Sequence, residues 1–255
     1  MLSLCINTYN EEKNIPYPLD SAYDLVDEVV IVDGSSSDKT VEVTKSYGKK
    51  VKVFVTDNPK NFITNKQRAI EKATGDWILQ LDADEALSDE LKKEIKTIVN
   101  QPFQKDSPVG YWMPRKNWFL SRYLMKGGVY PDYVLRLYRR NKGKFTLDDI
   151  HENVVVSGQT AHTKGAVLHN ADPNFERYLL RWNRYTTFEA ENLHKKGKKL
   201  SFFGYFFCKP TGWFLKTYFR HKGFMDGFPG FVFSLFSSIR FWAIYIKWWK
   251  LTNSS

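Results

Sequence analysis

Apolar positions in the first hundred residues fall into short β-branched runs separated by longer segments with helical spacing. Residues 2–6, 28–32, 51–55 and 77–81 read as strands, and about 11–25, 38–47, 61–73 and 88–99 as helices. Strands separated by helical segments imply βαβ units and a parallel sheet. After Pro102 the texture changes. Residues 110–119, 134–138, 152–156 and 166–169 read as shorter strands divided by Gly, Pro and charge, and 174–193 as a helix. The stretch 231–251 is mostly apolar, with Arg240 its only charged residue before Lys247. No internal repeat or low-complexity segment is present.

Polar chemistry collects at the strand ends. The second strand runs into Asp33-Gly34-Ser35-Ser36-Ser37-Asp38, where Gly and Ser permit a tight turn. Asp38 can cap the next helix, which leaves the Asp33 carboxylate at the strand tip, in position to accept hydrogen bonds from a ribose or a base. The first strand ends in Asn7-Thr8-Tyr9-Asn10-Glu11-Glu12, and the fourth closes in Asp82-Ala83-Asp84. Two carboxylates one residue apart suit a hard cation, Mg²⁺ or Mn²⁺, which fills its remaining positions with water and phosphate oxygens. The carboxyl ends of parallel strands are also where α/β proteins bind ligands. Each tip alone reads equally well as a polar strand end with a cap. Three of them within 85 residues favour a site.

The set Leu4 to Glu12, Val32 to Thr40 and Leu81-Asp82-Ala83-Asp84-Glu85 resembles the family 2 glycosyltransferases of the GT-A fold, and within them the lipopolysaccharide core β-glucosyltransferases. Also similar to that subgroup are Gly127-Gly128-Val129-Tyr130-Pro131-Asp132, Arg136-Leu137-Tyr138-Arg139-Arg140, the pair His151-Glu152, and Asp226-Gly227. Asn7 departs from the pattern, since many relatives carry Pro there. The departure matters little if the backbone near Thr8 makes the contact. The resemblance implies an α/β fold, a Rossmann-like mixed sheet flanked by helices, and an enzyme that uses a UDP-sugar with Mg²⁺ or Mn²⁺. Asp84 is then expected as a metal ligand. His169, ending the apolar run 165–168, is a candidate further ligand, since neutral imidazole binds divalent metals, with a satisfied hydrogen-bonding residue as the alternative. Thr8, Glu11, Asp33 and Asp82 are expected around the nucleotide.

Inverting transfer needs a base that takes the proton of the acceptor hydroxyl. Asp148, Asp149 and Glu152 are candidates, and the resemblance selects Glu152. The leaving diphosphate needs further positive charge, for which Lys66, Arg68 and Arg136 are candidates. Gly127-Gly128 reads as a loop that approaches the sugar. The expected reaction moves a hexose, glucose from UDP-glucose, onto a lipid-linked or lipopolysaccharide-core saccharide. Rival readings are an inactive GT-A scaffold at the membrane, a haloacid dehalogenase-type phosphatase, and a basic nucleic-acid binder. The second needs a Thr-containing turn after its acids, where this chain has Glu85-Ala86-Leu87.

Charge adds a boundary. Of the 38 Lys and Arg, 11 lie in 192–255 against one acid, Asp226, so the whole formal charge of +10 sits there. The same segment holds 19 of the 41 aromatics. The expected division is therefore a catalytic part, 1–191, and a basic aromatic helical appendage, 192–255. Such an appendage fits nucleic acid or an anionic membrane surface. A nucleic-acid face would set basic residues among the apolar ones, and Arg240 is the only one before Lys247, so the membrane is favoured and nucleic acid is set aside. Crossing needs about 20 apolar residues, and Arg240 falls mid-run. The expectation is an element lying on the inner face of the cytoplasmic membrane. Lys195, Lys196, Lys198 and Lys199 would supply the charge, and Trp242, Tyr245, Trp248 and Trp249 the burial. Packing onto the catalytic part or a second subunit is the alternative, so a homo-oligomer stays open. Two cysteines, Cys5 in an apolar strand and Cys208, give neither a disulfide framework nor metal spacing, which suits a reducing compartment. Met1-Leu2-Ser3 runs directly into the first strand, so no signal peptide is expected.

Overall fold

The computed structural model describes residues 1–59, 61, 63–145 and 154–253. Contacts divide the chain into two compact units: Met1–Arg115 with Asp132–His169, and Lys116–Pro131 with Asn170–Ser255.

The first unit begins as four βα repeats. These are β1 (Leu2–Thr8), α1 (Pro16–Ala22), β2 (Glu28–Asp33), α2 (Thr40–Ser46), β3 (Val51–Val55), α3 (Ile63–Lys72), β4 (Trp77–Gln80), β5 (Glu85–Leu87) and α4 (Asp89–Asn100). β1 lies between β2 and β4 and is parallel to both, and β2 pairs with β3 in the same sense. β1, β2 and β4 are buried almost throughout, as strands covered on both faces by helices must be. One face packs Leu2, Leu4, Ile31 and Leu79 against α1 and α4, and the other packs Cys5, Val30, Val32 and Ile78 against α3. Ser88 caps α4 by accepting from Leu91 N at 3.2 Å, and Asp89 and Glu90 oppose the helix dipole in the first turn. α1 is shorter than its polar approach implies, since Pro16 sets its first turn.

Seven more strands follow: β6 (Gly110–Phe119), β7 (Arg122–Tyr123), β8 (Asp132–Arg139), β9 (Gly143–Phe145), β10 (Val154–Val156), β11 (Thr160–His162) and β12 (Val167–Asp172), with β7 and β8 antiparallel to β6 and β11 parallel to it. The strand order is β3-β2-β1-β4-β8-β6-β12-β5. β8 runs antiparallel to β4, and β12 antiparallel to β5, which sets His169 opposite Glu85. β9 and β10 form a separate hairpin. This mixed sheet flanked by helices is the expected architecture.

The second unit is mainly helical. α5 (Phe175–Lys195), capped by Asn174, packs along α7 (Gly227–Asn253). Between them run a π-helical turn, Gly204–Cys208, the short α6 (Lys209–Phe214), a second π turn, Leu215–Arg220, and a 3-10 turn, Gly223–Asp226. Two aromatic clusters join these helices. One sets Phe119, Leu124 and Tyr178 on Val232, and the other sets Ala190 and Tyr205 on Phe241 and Ile244. Asp226 is buried and accepts from Met125 N at 2.9 Å and Lys126 N at 2.7 Å, while Gly127 N donates to His221 O at 2.9 Å. The charge boundary at residue 192 thus falls inside this unit, at the end of α5.

Candidate active site

Because β1 pairs in parallel with β2 and β4, the C-terminal ends of all three lie side by side. Hydrogen bonds stitch the loops after β1 and β2 together. Asn10 N donates to Ser36 Oγ at 2.9 Å, Ser37 N to Asn10 Oδ1 at 2.8 Å, Glu11 N to Thr40 Oγ1 at 2.8 Å and Glu12 N to Asp38 Oδ2 at 3.1 Å. Asn10 and Ser35 hold positive φ, at 55° and 63°. For side-chain-bearing residues this is a sparsely populated conformation. Glu11 Oε2 accepts from Asn14 Nδ2 at 2.6 Å.

Asp33 is fully buried rather than standing open at the tip. Its Oδ2 accepts from Thr8 Oγ1 at 2.8 Å and Ser36 Oγ at 2.6 Å, and its Oδ1 from Ser36 N at 2.8 Å. As placed, Asp33 fixes the Thr8 hydroxyl and the Ser36 turn.

The acids after β4 divide into two settings. Asp82 is gripped by cations: Lys66 Nζ lies 2.6 Å from Oδ1 and Arg136 Nη2 lies 2.6 Å from Oδ2. Arg136 also donates to Glu85 Oε1 at 2.7 Å, and Arg115 Nη1 reaches the same oxygen at 3.1 Å. Arg115 then donates to Asp132 Oδ2 through Nε at 2.9 Å and Nη2 at 2.8 Å. Asp82 N donates to Glu85 Oε2 at 3.1 Å, which ties the backbone of the turn to the same network. Burial alone would raise the Asp82 carboxyl, but Arg136 and then Lys66 hold it well below the usual carboxylate range. The result is a chain of alternating charge, three cations against three carboxylates.

Asp84 has a histidine beside it. Its Oδ1 lies 3.6 Å from His169 Nε2 on β12. Among the described residues no group of three or more His, Cys, Asp or Glu is arranged to hold a metal. A carboxylate with an imidazole still fits Mg²⁺ or Mn²⁺, because such ions complete their shell with phosphate oxygens and water.

The structure thus brings Thr8 to Asp33, Lys66 and Arg136 to Asp82, and His169 to Asp84. Arg68 points elsewhere. Its Nη1 donates to Thr56 Oγ1 at 2.9 Å, Asp57 Oδ1 at 2.5 Å and Asn65 Oδ1 at 3.0 Å, which braces the loop between β3 and α3. Glu152, with Asp148, Asp149 and His151, lies outside the described residues. The sequence reading missed Glu85 and Arg115 as members of the site. Glu85 carried a signal, an acid directly after Asp84 in a strand. Arg115, among Pro114 and Lys116, had none.

Residues 3–165 match the sequence model of "Glycosyl transferase family 2". The chain belongs to glycosyl transferase family 2. Among its relatives, an uncharacterized glycosyltransferase of Rickettsia typhi is 32% identical over 94% of this chain and 84% of its own length. The lipopolysaccharide core biosynthesis glycosyltransferase LpsC of Rhizobium meliloti is 30% identical over 91% of this chain and 85% of its own. Solved structures share the fold. The mannosyltransferase PcManGT of Pyrobaculum calidifontis, in complex with GDP-Man and Mn²⁺, superposes with a TM-score of 0.59 at 11% identity, over 97% of this chain and 86% of that one. TarS of S. aureus in complex with UDP-GlcNAc gives 0.50 at 14% identity, over 100% and 92%. The mixed sheet is the GT-A fold. In this family 2 transferase, the ends of β1, β2 and β4 carry the polar cluster of Thr8, Asp33, Asp82 and Asp84.

Proposed function

We propose that this chain is an inverting hexosyltransferase that moves glucose from UDP-glucose onto a lipid-linked or lipopolysaccharide-core-type saccharide, working peripherally on the inner face of the cytoplasmic membrane. The observation that carries the donor half is the Asp84–His169 pair beside the cation-locked Asp82, at the sheet end where α/β proteins bind ligands. Two proteins of the same fold hold nucleotide sugars, one of them with Mn²⁺. The acceptor half leans on the name of the Rhizobium relative.

In this reading Asp84 and His169 hold Mg²⁺ or Mn²⁺. The ion supplies fixed positive charge against the charge that develops on the departing diphosphate. Asp82 sets the turn and receives the ribose or a bound water. Lys66 and Arg136 keep it ionised and add positive field at the diphosphate. Thr8 and Asp33 frame the nucleotide, with Glu11 at its rim. Glu152 takes the acceptor proton as the hydroxyl attacks the anomeric carbon opposite the diphosphate. The test is a panel of nucleotide sugars incubated with Mg²⁺ or Mn²⁺ and read by released nucleotide. Release from UDP-glucose above the other donors, abolished by chelator, is expected. Equal release with chelator rejects the metal, and preference for another donor rejects glucose.

A further inference from the structure

The segment between α5 and α7 carries an exposed apolar surface. Phe203, Phe207, Leu215 and Phe219 are 64%, 53%, 50% and 55% exposed, and they succeed one another at steps of four with only Thr211 interrupting. In a plain α-helix of 3.6 residues per turn such a row winds off the face. Here the two wider π turns, Gly204–Cys208 and Leu215–Arg220, offset that drift. Four apolar side chains thus share one outward ridge.

We propose that this ridge is the element by which the protein docks on an anionic phospholipid bilayer. The inference rests on the peripheral-membrane reading of the function, and it moves the inserting element from the α7 aromatics to residues 203–219.

Charge selects the partner. Lys209, Lys216, Arg220 and Lys222 are exposed on the same segment, and the single acid of the appendage, Asp226, is buried and bound to backbone amides. Each base near an anionic leaflet adds attraction that a neutral surface does not give. A second copy seated on the ridge two-fold would set these like charges against one another. Burial selects the element. Val232, Phe241 and Ile244 of α7 are already spent in the aromatic clusters on α5, Tyr205 and Trp213. α7 is the one helix among the described residues with the length and composition to cross a membrane. It is, however, tied along its length to α5. Trp182 Nε1 donates to Phe236 O at 2.9 Å, and Lys247 Nζ donates to Asn183 O, Asn183 Oδ1, Thr186 Oγ1 and Thr187 Oγ1 within 2.8 Å. Crossing would draw the charges of α5, among them Arg184 and Glu189, into hydrocarbon, which is costly. Lying on the surface through the ridge carries no such cost.

The test uses the full chain and vesicles of phosphatidylglycerol with phosphatidylcholine, compared with phosphatidylcholine alone. A Phe207→Ser/Phe219→Ser double variant is set beside an Ile246→Ser/Trp249→Ser double variant on the exposed side of α7. Co-sedimentation on the anionic vesicles should fall about tenfold or more for the first and little for the second, with UDP binding retained by both. If the wild-type chain does not bind anionic vesicles, the peripheral-membrane reading itself fails. If it binds and only the α7 variant detaches, that reading stands and the ridge is overturned. If the ridge variant instead changes the oligomeric state in solution, the ridge is a contact between copies, and the inference again fails. A measurement without ridge substitutions guards against misfolding. Cys208 is exposed beside the ridge and Cys5 is buried, so an environment-sensitive label goes on Cys208 alone. Its emission should shift to the blue on anionic vesicles; bound protein with no shift overturns the proposal.

Discussion

At the scale of single residues, Asp82 and Asp84 have the same side chain and different tasks. Two cations neutralise Asp82, so it offers little net charge to a metal, whereas Asp84 has an imidazole beside it. Asp84→Ala should therefore abolish transfer and weaken UDP binding in Mn²⁺ while leaving the melting temperature near wild type. Titration calorimetry with and without Mn²⁺ checks it, and an unchanged Mn²⁺-dependent affinity would contradict the assignment. Arg136→Met should act on stability as well. It strips the shared partner from the buried Glu85 and the part-buried Asp82, and breaking a buried pair costs about 3–5 kcal/mol, to be read as a lower urea midpoint. Glu28, far from the ligand end of β2, gives a pH signature. Burial raises its pKa, but Lys52, Ser3 and Thr74 together outweigh this and bring it from the ordinary 4.5 down to about 2. A lowered folded pKa means the ionised form favours folding. The contribution is complete above about pH 4.5 and lost as pH falls toward 2. The stability gap between wild type and Glu28→Gln should thus be widest near neutrality and shrink below pH 4.5. A gap that grows on acidification would reverse the sign.

At the scale of elements, the first four strands and the helices between them were legible, because short apolar runs and helical spacing are local signals. Their polar ends were legible too, since Asp33 and Asp82 interrupt otherwise apolar sequence. The partner that each charge takes lay beyond reach. Lys66 and Arg136 read as free cations for a diphosphate, yet the antiparallel pairing of β8 with β4 and the packing of α3 bring both to Asp82. No helix was read from 201 to 220, where two π turns flank the short α6. Close approach was equally invisible. A Cβ at Gly165 would lie 2.3 Å from Leu91 N in the first turn of α4. This glycine leads into β12, which carries His169. Gly165→Ala should force the two elements apart, costing on the order of 1–3 kcal/mol as overpacking does, with metal-dependent UDP binding weakened alongside. Denaturant melts and the same calorimetry decide; a variant as stable as wild type would mean the contact yields freely.

At the scale of the whole molecule, charge and packing divide the chain at different places. Charge changes at residue 192, where 11 bases against one acid follow. Packing groups α5 with the helices C-terminal to it, because the apolar face of α5 has α7 to cover it. We propose that the charge boundary is the functional one, with sugar chemistry before it and attachment after it. The cluster Lys195, Lys196, Lys198 and Lys199 tests this without touching either the polar strand ends or the aromatic ridge. Changing all four to Gln removes four of the ten net charges. Each base at an anionic surface contributes about 1 kcal/mol, so affinity for phosphatidylglycerol vesicles should fall by two to three orders of magnitude at low salt, as about 4 kcal/mol implies. Screening acts over about 10 Å at 0.1 M salt. The wild-type and variant affinities should therefore converge as salt rises, leaving the unscreened apolar contribution common to both. Release of nucleotide from UDP-glucose in solution should be unchanged, while transfer to a saccharide acceptor embedded in vesicles should drop with the binding. If the variant loses soluble donor hydrolysis as well, the lysines serve the fold or the site, and residue 192 does not separate attachment from chemistry.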